Sequence, residues 1–119
     1  MNDDQIDAIA KQYEGVDIHK AFTQPRLTVH TEPVSGLGSY QLHLTKPMKG
    51  VGGRMPKWRI EISVNRPDGT TEVLNDGKAN APWNVMHEVV AESLRVMTIY
   101  IERERGLMIK ARQRAMRAV

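Results

Sequence analysis

The stretch PWNVMHEVVAESLRVMTIYIERERGLMIKARQRAMRAV, residues 82–119, decides the fold. After Pro82 it holds no further proline and a single glycine, Gly106. Met86, Val89, Val90, Leu94, Met97, Tyr100 or Ile101, Met108, and Ala111 or Ala115 recur at helical spacing, which predicts a long amphipathic helix. Asn80 is a suitable cap, and Pro82 suits a first turn. A helix over all of 83–119 would be roughly 55 Å long, more than a domain this small can cover. It must therefore break near Gly106 or project. Val85, Val96 and Ile99 widen the apolar surface beyond one face. That breadth predicts burial on two sides, one against the rest of the chain and one at an interface with a second copy.

Upstream of this stretch the periodicity changes from helical to alternating. Leu27, Val29 and Thr31 alternate with Thr28 and His30; Tyr40, Leu42 and Leu44 alternate with Gln41, His43 and Thr45. Ile60, Ile62 and Val64 alternate with Arg59, Glu61 and Ser63. Each pattern marks a half-buried strand. The sequence Arg66-Pro67-Asp68-Gly69 orders its residues as a tight turn prefers, and Thr71, Val73 and Leu74 form the return arm of a hairpin. Residues 75–82 read as a loop. At the N-terminal end, Ile6, Ile9, Ala10 and Tyr13 share one helix face over residues 3–13, with Asn2 or Asp3 as cap and Gly15 as stop. Residues 16–24 suggest one more helical turn before Pro25.

These elements predict a single α+β domain. An N-terminal helix (1–15) precedes an antiparallel meander of three to four strands (26–75), packed on a long C-terminal helix (81–119). Grouped strands flanked by helices argue against βαβ units. The 119 residues bury a modest core without disulfides, and the chain contains no cysteine, which removes thiol nucleophiles and Cys-ligated metals. No apolar run is long enough to span a bilayer, and the acidic start lacks the features of a secretory signal. A soluble cytoplasmic protein is expected. Seven Met and a single Phe make an adaptable core of the kind that a second copy often completes.

The net charge of +3 is unevenly spread. Residues 1–94 hold ten Lys/Arg and twelve Asp/Glu, a balance of −2; residues 95–119 hold seven and two, a balance of +5. Two basic segments carry no acid. One is the loop region with Lys46, Lys49, Arg54, Lys57 and Arg59, where Gly50, Gly52 and Gly53 leave backbone N–H groups free to approach an anion. The other is the C-terminal end, with Lys110, Arg112, Arg114 and Arg117. Lys110, Arg114 and Arg117 fall at i, i+4 and i+7 on one helix face, whereas Arg112 lies roughly opposite Lys110. Arg and Lys in such a stripe suit phosphate oxygens. The plainer reading is a solvated helix end whose cations complement the helix dipole.

Catalytic signatures are missing from the sequence. GxxxxGK[ST], GxGxxG and GxSxG patterns do not occur, and Ser35, Ser39, Ser63 and Ser93 have no nucleophile context. His19, His30, His43 and His87 show no metal-ligand spacing. The expectation is a small non-enzymatic nucleic-acid-binding accessory protein, without cofactor or metal, that contacts phosphates through residues 46–57 and the C-terminal helix. The alternative is a protein-interaction module with an acidic partner surface: an inhibitor, adaptor or assembly component such as phages and mobile elements encode. A small-molecule binder using the glycine-rich loop is a third class.

Overall fold

A computed structural model describes residues 1–15, 26–45 and 57–117. The expected turn over 16–24 and most of the basic loop, including Lys46, Lys49, Arg54 and its three glycines, lie outside the described residues. The chain is an α+β fold built from helix α1 (Asp3–Lys11), strands β1 (Arg26–His30), β2 (Ser39–Thr45), β3 (Arg59–Asn65) and β4 (Thr71–Lys78), and helix α2 (Met86–Arg117). The strands form one antiparallel meander in the order β1-β2-β3-β4.

Helix α1 starts on a capping box. The Asn2 side chain accepts from the Gln5 N–H at 2.9 Å, and the Gln5 side chain accepts from the Asn2 N–H at 2.9 Å. Its buried residues Ile6 and Ala10 face α2, against which it packs. The expected strand alternation holds in three dimensions. Tyr40, Leu42 and Leu44 of β2 and Ile60, Ile62 and Val64 of β3 are buried on one face, joined by Val29 of β1. Leu42 pairs with both Val29 and Ile62. This face meets Met86, Val89, Val90, Leu94, Met97 and Ile101 of α2 in a single core.

Two expectations are corrected at the ends of elements. Residues 75–78 form no loop: Asn75, Asp76, Gly77 and Lys78 continue β4, opposite Ile62, Glu61, Ile60 and Arg59. A register shift at Ile62/Ser63 absorbs one extra residue, and the ladder to β3 outweighs the turn preference of Asn-Asp-Gly. The helix begins at Met86 rather than Trp83; before it, the Val85 N–H donates to the Pro82 carbonyl at 3.0 Å in a turn. Asn80 accepts from the Lys57 ammonium at 3.3 Å.

Helix α2 runs unbroken through Gly106, so the long helix projects. A glycine inside a helix costs about 1 kcal/mol relative to alanine, and the backbone bonds on either side carry the helix through it. Its 32 residues give a length of about 48 Å, in a molecule whose longest extent is 60 Å. Every residue from Ile109 to Arg117 is exposed.

Candidate nucleic-acid interface

The direction of the projecting end is set by a polar anchor halfway along α2. Glu104 accepts a hydrogen bond from the Tyr40 hydroxyl, and its other oxygen accepts from the Arg66 guanidinium at 2.5 Å. Arg66 also donates to Glu72 at 2.7 Å and to the Leu37 carbonyl at 3.3 Å. Burial and the neighbouring Glu104 carboxylate push the Tyr40 hydroxyl well above the usual tyrosine range. The two carboxylates hold Arg66 firmly in its charged form. Arg66 and Glu104 expose only 19% and 18% of their side chains, so the pair is shielded from solvent more than a surface bridge is. Glu104→Gln should therefore lower stability by about 1.5–3 kcal/mol in urea unfolding, the range for hydrogen bonds to charged groups. An unchanged midpoint would show that the anchor adds nothing.

One turn further on, Met108 leans on the turn between β1 and β2, while Arg112, a turn beyond it, is exposed and only its guanidinium edge comes near that turn. Gly36 there has φ +78°, and a Cβ on it would stand 3.0 Å from Met108 Sδ and 3.8 Å from Arg112 Nη2. A side chain at position 36 would thus push against the helix as well as strain the backbone. The close approach props the start of the projecting segment.

The described members of the two basic segments lie at opposite ends of the molecule. Lys57 and Arg59 flank Trp58, whose Nε1 donates to the Trp83 carbonyl at 2.8 Å, just before α2 begins. Lys110, Arg112, Arg114 and Arg117 stand at the far end of that helix. Arg59 is already engaged: it donates to both carboxylate oxygens of Asp76, at 2.9 and 2.6 Å, and this pairing holds Asp76 below the usual carboxylate range. An incoming anion would have to compete with Asp76. By contrast, Lys110, Arg112, Arg114 and Arg117 are exposed and make no ion pair with any described carboxylate.

The interface positions expected from the sequence divide. Ile99 is 54% exposed, whereas Val85 and Val96 are half-buried and Val96 packs on the core margin. Three further large apolar side chains are exposed on α2, Leu107 at 61%, Ile109 at 51% and Met116 at 78%. None of these three was assigned a role by sequence periodicity, because each falls off the stripe that faces the sheet.

The outer sheet face is polar apart from Val73, which pairs with Ser63 and is 58% exposed. His43 bridges Thr28 Oγ1 at 3.1 Å and Ser63 Oγ at 3.2 Å, and burial, followed by the charge of Arg26, lowers its pKa. Ser63 is only 3% exposed, so this outward residue is buried by its neighbours. No tryptophan, tyrosine or phenylalanine of the four strands lies on this face, since Tyr40 points into the core. It offers no base-stacking platform. Between α1, the β1–β2 turn and α2 there is an open groove of about 430 Å³, lined by Met1, Ile9, Val34 and Ile101 with His30 and Arg105 beside them. Among the described residues, no helix is long and apolar enough to cross a membrane. No family model, curated protein or solved structure matches the chain.

Proposed function

We propose that this chain is a non-enzymatic nucleic-acid-binding accessory protein of the cytoplasm, and that the end of α2 is its contact element. The observation that carries this reading is the set Lys110, Arg112, Arg114 and Arg117. All four are exposed and lack described ion-pair partners, and they sit on a helix end that projects past the sheet. Unpaired guanidinium groups cost little to bring onto phosphates, and each phosphate neutralised releases counterions. Lys57 and Arg59 are too remote to share a compact site with this end, so they belong to a secondary contact if they take part.

Titrating a short duplex with the protein at increasing salt tests the reading. The expected result is measurable binding at about 50 mM salt and a steep linear fall of log affinity with log salt. Absence of binding at about 50 mM would overturn it, because the electrostatic contribution is largest there. The same cationic end would then be read as an arm for an acidic protein surface.

The exposed apolar side chains Ile99 and Leu107 favour a second, compatible reading, in which two copies associate along the outer side of α2. Light scattering at micromolar concentration should then show a dimer or larger. Ile99→Glu should return it to monomer, because a carboxylate at an apolar interface is costly. A monomeric parent protein would remove this reading.

A further inference from the structure

We infer that the end of α2 is a major-groove-reading helix for B-form duplex DNA, with Ile109, Gln113 and Met116 facing the base edges. The inference rests on the nucleic-acid reading above and specifies its target.

The argument starts from helix geometry. Ile109, Gln113 and Met116 fall at i, i+4 and i+7 and share one face. At about 100° per residue, the stripe Lys110–Arg114–Arg117 lies about 100° round on one side of that face, and Arg112 about 70° round on the other. Thus a row of two apolar side chains and one amide is flanked by cations on both sides. Ile109 and Met116 are 51% and 78% exposed, and no described residue covers them. Single exposed apolar side chains are common on protein surfaces, so it is the placement of these two between cations on both sides, not their exposure, that points to a ligand with anionic flanks.

The dimensions fit one target. A helix with its side chains is about 10–12 Å across, and the B-DNA major groove is about 12 Å wide. Cations on both flanks then meet the phosphates of the two opposing strands. The central face meets the base edges, where a glutamine amide pairs bidentately with adenine and apolar groups contact the thymine methyl. Duplex RNA is a poor target, because its major groove is too deep and narrow for side chains to read. Single strands are poor targets as well. No aromatic residue follows Tyr100 along the helix, Tyr100 itself lies under Arg103 at 5.3 Å, and among the described residues the four strands place no aromatic ring on the outer sheet face.

Charge placement sets the approach. Helix α1 exposes Asp3, Asp4 and Asp7, and its first turns lie beside the groove that also touches Ile101 and Arg105. These carboxylates repel phosphates from the α1 side of the body and favour approach at the projecting end. The segment from Ile109 to Arg117 rises about 12 Å, enough to cross roughly three base pairs.

The test uses the full chain and fluorescence anisotropy at about 100 mM salt. Its probes are a duplex DNA with a central A·T block, one with a central G·C block, the RNA duplex of the first sequence, and its single DNA strand. The expected order places the A·T duplex first, at least tenfold tighter than the RNA duplex and the single strand. Gln113→Ala should narrow the spread between the two DNA duplexes by about five- to tenfold while leaving the salt slope unchanged. Equal binding of duplex DNA and RNA would overturn the groove assignment while leaving nucleic-acid binding intact. So would an unchanged spread in the variant. Absence of binding to all four probes would overturn both this inference and the reading beneath it.

Discussion

Ile62→Ala is expected to lower the free energy of unfolding by about 2–5 kcal/mol, the range for a buried aliphatic truncated to alanine. Ile62 is fully buried at the centre of the sheet, with Leu42 beside it on β2 and the buried side chains of α2 in the same core. Truncation leaves a cavity that strands on both sides hold open. Ser63→Ala is expected to cost about 1 kcal/mol. Its hydroxyl is within hydrogen-bond distance of His43 Nε2 at 3.2 Å, in a site that is 3% exposed, so it is not a free surface position. Arg59→Ala should cost under about 1 kcal/mol, since an exposed pair such as Arg59–Asp76 is well solvated. Urea unfolding of the three variants checks the order. Equal losses for Ile62→Ala and Arg59→Ala would place the core on the wrong face of β3.

The second large effect is on binding. Replacing Arg112, Arg114 and Arg117 together with alanine should flatten the log–log salt slope by roughly 2–3 and weaken duplex binding by about 100- to 1,000-fold near 0.1 M salt. Stability should stay within about 0.5 kcal/mol of the parent, because all three are exposed and make no described ion pair. The combination matters: lost binding with unchanged melting locates the effect on the contact surface. An unchanged slope would move the phosphate contacts elsewhere. Truncation to remove all four cations should cut after Ile109 rather than after Arg105, since Met108 rests on Gly36 and belongs partly to the body.

The candidate site was only half legible in the residues. That Lys110, Arg114 and Arg117 share a face follows from their spacing alone. So does the row Ile109, Gln113 and Met116, although its meaning depends on exposure, which spacing does not report. Whether the loop cations join the tail is a different kind of question. Lys57 and Arg59 precede the tail by some fifty residues, and only the path of α2 across the sheet reveals that it carries the tail away from them.

What the sequence by itself determined about this protein is its local order: which residues alternate, which recur every three or four, and where Arg66-Pro67-Asp68-Gly69 turns the chain. A slip of one residue in β2 or β3 would bury His43 or Glu61 in the core and expose Leu42 or Ile62, so the pattern specifies the faces. Tertiary structure alone decided the continuation of β4 through Asn75–Lys78 and the burial of Ser63. It also decided the separation of the two basic segments. Each of these depends on partners distant along the chain. The Tyr40–Glu104 and Arg66–Glu104 hydrogen bonds that aim α2 join residues 64 and 38 positions apart. Periodicity records the short-range sterics and hydrophobicity of a segment, whereas the direction in which a helix leaves its sheet is fixed by contacts that form only when the segments meet.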